Sequence, residues 1–125
     1  MSGFFWLFLG LIDVLSKVWG RSTGIAVMNY GLSFGWLSDM SVGWLTTILW
    51  LGLVLVFKRR YRFNYWPFGL IILGGGLNIL DRIVYGGVVD IIKYPIISLY
   101  GNIADIYIAA GVIAFGLKGG KVNGH

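Results

Sequence analysis

The stretch Trp66-Pro-Phe-Gly-Leu-Ile-Ile-Leu-Gly-Gly-Gly-Leu-Asn-Ile-Leu80 decides the fold class of this chain. It carries no charge and is apolar nearly all round, so it lacks the wet face that a helix of a water-soluble bundle needs. Its apolar residues are continuous rather than alternating, which argues against a transmembrane β-strand. As a helix, a run of this length crosses about 25 Å, near the lower limit for a bilayer span. Local thinning of the bilayer or extra turns drawn from the flanks are therefore expected.

Three further runs of the same kind lie outward from it, roughly Gly3 to Trp19, Val42 to Phe57 and Ile103 to Leu117. Of 125 residues, 58% are hydrophobic and 12% charged; soluble domains usually hold ~45–50% and ~25%. Such a chain has too little polar surface to cover a globule in water. The composition excludes a disordered chain and a cytosolic enzyme, and the absence of cysteine excludes a disulfide scaffold. The expectation is an α-helical integral membrane protein with four transmembrane helices, forming a single membrane-embedded domain over residues 1–125.

Orientation follows from the basic residues of the short loops. Lys58-Arg59-Arg60-Tyr61-Arg62 is the densest cationic cluster, and Lys118 and Lys121 follow the last run. Both termini are thus expected in the cytoplasm, with the loops at 20–41 and 81–102 facing outward. The net charge of +5 does not argue for nucleic acid, because the cations sit at the membrane edge where anionic lipid holds them. The N-terminal run has no basic n-region and includes Asp13 and Lys17, so it is expected to be a retained helix rather than a cleaved signal peptide. His125, in a polar tail, is expected to be solvated.

Ionisable residues at membrane depth are costly and mark function by default. All five acids are aspartates. Asp13 and Lys17 are four apart and share a helix face, as a self-neutralising pair or with a direct role. Asp81 and Arg82 follow the outer end of the third helix, Asp90 lies in the second outer loop, and Asp105 opens the fourth helix. Asp39, near the start of the second helix, is explained by the helix dipole.

Two Asn-x-x-Asp units sharpen this pattern: Asn78-Ile-Leu-Asp81 ends the third helix and Asn102-Ile-Ala-Asp105 opens the fourth. Asn102 alone would read as an N-cap and Asp105 as a first-turn acid. Two such units on antiparallel neighbours, with another acid between them, favour a shared polar site. Ser33 and Ser98 have no evident histidine partner for nucleophilic catalysis. An oxygen-only metal site would want more ligands or a phosphate substrate. Two close carboxyls cannot easily both ionise, so one keeps a proton while the other acts as base on water. That is the chemistry of aspartyl peptide hydrolysis. On the residues alone, the pair stays open among Asp81, Asp90 and Asp105.

These residues resemble signal peptidase II, the lipoprotein signal peptidase family of bacteria. The likeness runs from about Asp13 to Gly111. It is carried by Asp13-Val-Leu-Ser-Lys17, Asn29-Tyr-Gly-Leu-Ser-Phe-Gly35, Gly74-Gly-Gly-Leu-Asn-Ile-Leu-Asp-Arg82, Gly86-Gly-Val-Val-Asp90 and Asn102-Ile-Ala-Asp105. The resemblance implies an aspartyl endopeptidase that cleaves diacylglyceryl-modified prolipoproteins before the lipidated cysteine, at the outer face of the bacterial cytoplasmic membrane. It implies Asp90 and Asp105 as the catalytic dyad. Asn29, Asn78, Asp81, Arg82, Asn102, Asp13 and Lys17 match substrate-binding or supporting positions. It further implies a small β-rich platform in the first outer loop, about Gly20 to Asp39. No metal, cofactor or nucleic acid is expected; the partners are prolipoprotein substrates and membrane lipid, and the protein is expected to be a monomer. Leu77 stands where the family usually has Gly, Gly101 where it usually has Phe, and the connection from Asp90 to Asp105 is short. Two other readings are a small transporter or channel subunit, whose acids would sit near the bilayer midplane, and a homologue that binds lipoproteins without cutting them.

Overall fold

The first helix, α1 (Gly3–Thr23), is inside out by the standard of a soluble protein: it buries Asp13, Lys17 and Gly20 while Phe8, Leu11, Leu15 and Trp19 face outward. The computed structural model describes residues 3–29, 40–59, 65–94 and 99–117. After α1 come β1 (Val27–Asn29), α2 (Met40–Phe57), α3 (Trp66–Tyr85), β2 (Val88–Asp90), β3 (Ile92–Tyr94), β4 (Leu99–Gly101) and α4 (Ile103–Leu117). The inversion seen in α1 is general. Among the described residues the buried hydrophobic side chains are Phe68, Val88, Val89, Ala104 and Tyr107, fewer than the buried polar and charged ones. Exposed aliphatic faces around a polar interior suit lipid, which is itself apolar and offers backbone groups no partner. Among the described residues, α1 and α3 are long and apolar enough to cross a membrane; α4 and Thr47–Phe57 of α2 are shorter apolar helices.

Three helices run further than the apolar pattern predicts. The expected bounds of 3–19, 42–57 and 66–80 become Gly3–Thr23, Met40–Phe57 and Trp66–Tyr85. Asp81 and Arg82 therefore lie inside the last turns of α3, not beyond its end. The physical reason is that Asp81 is buried against Lys17 and turned inward, so its charge does not force the chain out of the helix. What ends α3 is Gly86, in the left-handed conformation at φ 79°, whose N–H donates to the Arg82 carbonyl at 3.0 Å. Glycine takes that conformation without the Cβ penalty other residues meet. The start of α3 follows the complementary rule, with Pro67 in the first turn, where no N–H is needed.

The most extensive helix pairing among the described residues joins α3 to α4. It is backbone-close because glycines stand at both ends of the contact. A Cβ on Gly74 would lie 2.5 Å from the Ala104 carbonyl oxygen, and one on Gly111 would lie 2.7 Å from the Pro67 carbonyl oxygen. Small residues allow such approach, and dispersion between close backbones replaces the hydrophobic drive that lipid cannot supply. Gly74→Ala is accordingly expected to destabilise the protein by about 1–3 kcal/mol through overpacking, although alanine is the better helix former by about 1 kcal/mol. A lower thermal midpoint in detergent is the readout; a midpoint at or above the wild type would refute this account of the pairing.

The strands join the two segments between helices. β1 pairs antiparallel with β2 (Val27 opposite Asp90, Asn29 opposite Val88), and β3 with β4 (Ile92 opposite Gly101, Tyr94 opposite Leu99). Among the described residues, the first outer loop, where β-structure is expected, holds β1, which finds its partner in the second loop; the other three described strands lie in that second loop. Asp90, expected in a loop, sits on β2, where pairing with β1 fixes its backbone. Asp39, Ser33, Ser98, Arg60, Arg62, Lys118, Lys121, His125 and most of the Asn29–Gly35 motif lie outside the described residues.

Candidate active site

Lys17 is the hub of a buried ion cluster. Its Nζ lies 2.7 Å from Asp13 Oδ2, one turn earlier on α1, and 2.8 Å from Asp81 Oδ2 on α3. Both carboxylates do a second task. Asp13 Oδ1 accepts from the Ala104 N–H at 2.8 Å, satisfying a first-turn donor of α4 from another helix. Asp81 Oδ2 accepts from the Val89 N–H at 3.1 Å, which ties β2 to α3. One ammonium thus holds α1, α3, α4 and β2 in register. The self-neutralising pair expected from spacing is a triad, and its third member comes from the next motif. Among the described residues no group of three metal-ligating side chains converges; between Asp13 and Asp81 the place of a cation is taken by Lys17.

Beside the triad lies a layer of carboxylates and amides. Asn102, the residue before α4, and Asp105 form a reciprocal cap. Asn102 Oδ1 accepts from the Asp105 N–H at 2.9 Å, and Asp105 Oδ2 accepts from the Asn102 N–H at 3.2 Å. The capping reading and the site reading are therefore both realised in the same residues. Asn102 Nδ2 also faces Asp90 Oδ1 at 3.1 Å, the Val89 carbonyl at 3.2 Å and Asn78 Oδ1 at 3.0 Å. Asn78 Nδ2 in turn donates to Asp105 Oδ1 at 3.0 Å. Asn29, arriving on β1, donates to Asp90 Oδ2 at 3.2 Å. The two Asn-x-x-Asp units do meet across a shared pocket, but through their amides. Their aspartates part company: Asp81 turns to Lys17, and Asp105 turns to Asn78.

Asp90 and Asp105 are both buried. Burial first, and the negative charge of Asp105 second, push the Asp90 carboxyl up to about 7; the bonds from Asn29 and Asn102 pull the other way and do not prevail. A carboxyl in this condition holds a proton near neutrality, when an ordinary aspartate would not. Arg82 lies within electrostatic reach of Asp105, Asp81 and Asp90, and balances part of the negative charge that Lys17 leaves over.

All nine residues singled out in the sequence, Asp13, Lys17, Asn29, Asn78, Asp81, Arg82, Asp90, Asn102 and Asp105, converge on this one cluster. Sequence reasoning missed the backbone of Val89, whose N–H and C=O both serve the site. It also missed Tyr94, four residues beyond Asp90. The one signal pointing to Tyr94 was the missing side chain at Gly101.

A family model described as "Signal peptidase (SPase) II" matches residues 5–119. The lipoprotein signal peptidase of Xylella fastidiosa is 35% identical over 105 residues, covering 71% of this chain and 60% of that protein. Its counterpart in Wolinella succinogenes is 32% identical over 106 residues, covering 82% and 70%. This chain therefore spans about 60% of the length of the Xylella fastidiosa relative. Among solved structures, a bacterial membrane enzyme determined by the in meso method superposes with a TM-score of 0.73 at 24% identity, over 90% of this chain and 83% of that one. At that identity the superposition speaks for the fold alone.

Proposed function

The chain belongs to the signal peptidase II family, and from that premise we propose that it is an aspartyl endopeptidase that removes signal peptides from diacylglyceryl-modified prolipoproteins, cutting just before the lipidated cysteine. The observation that carries this reading is the shared hold of Asn102 on Asp90 and Asp105, with Asp90 poised to keep a proton near neutral pH.

Each carboxyl then has a separate task. Asp105 is the base: it takes a proton from water as the water oxygen bonds to the scissile carbonyl carbon. Asp90 is the acid: its O–H donates to the carbonyl oxygen, so the tetrahedral intermediate forms as a neutral diol. Collapse of that intermediate breaks the C–N bond. The proton held by Asp105 passes to the departing amine, and one diol proton returns to Asp90. Asn78 and Asn102 keep Asp105 aimed, while Asn29 and Asn102 keep Asp90 aimed.

In this reading all four helices span the bacterial cytoplasmic membrane, with both termini inside. The end of α3, the start of α4 and the second half of α1 meet at the cluster, while Lys58 and Arg59 follow α2 at the opposite end. The site then faces outward, where the lipidated cysteine emerges. The substrate's acyl chains remain in lipid against the exposed aliphatic faces. Acids gathered at one end of the helices do not provide the two-sided path that a transporter needs.

The test is cleavage of a diacylglyceryl-modified prolipoprotein by the purified protein, seen as a shorter product that still carries the lipid. An intact substrate after long incubation would overturn the proposal. Activity is further expected to follow a bell in pH, with the alkaline limb near 7, where Asp90 loses its proton. Undiminished cleavage at pH 9 would contradict the roles given to the pair.

A further inference from the structure

Gly101 ends β4 and directly precedes Asn102. A Cβ placed on it would stand 2.7 Å from Tyr94 Oη and 2.9 Å from Tyr94 Cε2. The same point lies 3.2 Å from Asp105 Oδ2. The phenol of Tyr94 therefore occupies the space a side chain at 101 would need, and Asp105 Oδ2 borders the same space. The strand register explains how it gets there. Tyr94 pairs with Leu99 and Ile92 with Gly101, so Tyr94 and Gly101 are diagonal neighbours on one face, within reach of an aromatic ring.

This placement costs something unless it serves a purpose. A hydroxyl brought beside carboxylates must lose water, and the Tyr94 phenol is pushed up from its ordinary value by burial first and by the charges of Asp105 and Asp90 second. It stays protonated through the neutral range, so its O–H is available as a donor to those acids. The groups facing it are Asp105 from α4 and Asp90 from β2, with Arg82 of α3 within electrostatic reach of both.

We propose that Tyr94 is a positioning residue of the carboxylate pair, its O–H directed at Asp105 across the bare Gly101 so that Asp105 remains the charged member when substrate has excluded water. This rests on the peptidase reading for its consequence in catalysis, but the nearness of Tyr94 to Asp105 does not depend on it. A donor aimed at a carboxylate favours the charged form. Gly101 is thus required for its emptiness rather than for backbone freedom.

Tyr94→Phe keeps the ring and removes only the oxygen. It is expected to lower kcat about tenfold with KM nearly unchanged, as for an interaction made in the reacting complex. The acid limb of the pH profile should move up, because Asp105 then takes a proton more readily. A ring that merely fills the gap over Gly101 would leave Tyr94→Phe like the wild type in both respects, and that result overturns the proposal. The second readout is infrared titration of the carboxyl bands in the wild type and in Tyr94→Phe, with the Asp105 band assigned by its loss in Asp105→Asn. That band should titrate at higher pH in Tyr94→Phe; an unmoved band overturns the proposal, whether or not the protein cleaves a prolipoprotein. Absence of cleavage by the wild type together with a moved band would overturn the peptidase reading alone.

Discussion

Asp90→Asn and Asp105→Asn should each reduce cleavage of a diacylglyceryl-modified prolipoprotein by about 10²–10⁴-fold, the span usually supplied by a positioned acid or base. Both variants should remain folded, because the cluster keeps its amides and the Lys17 triad is untouched. Wild-type activity in either one would remove the basis of the proposed mechanism. The two differ in a way that separates chemistry from stability. In the folded protein Asp90 holds its proton up to about 7, whereas its ordinary value is 3.8. Between those limits the folded protein binds more protons than the unfolded chain, so this group makes stability fall as pH rises. Below that window its contribution is fully present; by pH 8 it has gone. Asparagine has nothing to titrate, and the Asn29 amide can turn to offer it an oxygen. Relative to wild type, the thermal midpoint of Asp90→Asn should therefore climb between pH 4 and pH 7 and level off above. A difference that stays constant with pH would show that Asp90 is not held protonated.

The second large effect is expected at Lys17. Lys17→Met leaves the carboxylates of Asp13 and Asp81 buried and facing each other without a cation. Removing one partner of a buried ion pair costs about 3–5 kcal/mol, because the charge left behind is uncompensated. That is comparable to the whole stability of many small domains, so little folded protein should be recovered in detergent or membrane. The double variant Lys17→Met with Asp81→Asn removes the stranded charge and lets Asp13 keep its bond to the Ala104 N–H. Partial recovery of folded protein in the double variant is the expected result. If the single variant folds as well as wild type, the triad is not what holds the four elements together.

Much of this was legible in the residues. The four apolar runs and the segregation of acids to one end could be read because lipid demands long uncharged helices, and any charge left in them stands out. Helix ends were less legible. Asp81 and Arg82 resemble a helix terminus only while their partners are unknown; Lys17, far back in the chain, turns Asp81 into an interior residue. The strands were not legible, since three residues such as Val88–Asp90 are too short to show a period and exist because β1 lies beside them. Spacing brought Asn78 and Asn102 together correctly, but could not say which aspartate each would serve. The choice of Asp90 and Asp105 over Asp81 came from family resemblance. The geometry is consistent with it, because Lys17 neutralises Asp81 while the other two face shared amides. Tyr94 was marked only by the missing side chain at Gly101, and a bare glycine does not say which neighbour fills its place.

The bond from Asp13 to the Ala104 N–H joins positions separated by 91 residues, and it fixes when the buried cluster can first form during synthesis of the chain. Asp13 and Lys17 leave the ribosome early as a locally matched pair, which softens the penalty for entering lipid. Asp81 and Arg82 follow, and the helix that brings Asn102 and Asp105 comes after them. Until that helix is inserted, the hydrogen bond to Asp90 from the Asn102 side chain and the neighbouring negative charge of Asp105 are both missing. A ribosome-bound chain stopped before α4 therefore lacks the pairing of Asp90 with Asp105, and the membrane receives the complete cluster only when α4 is delivered.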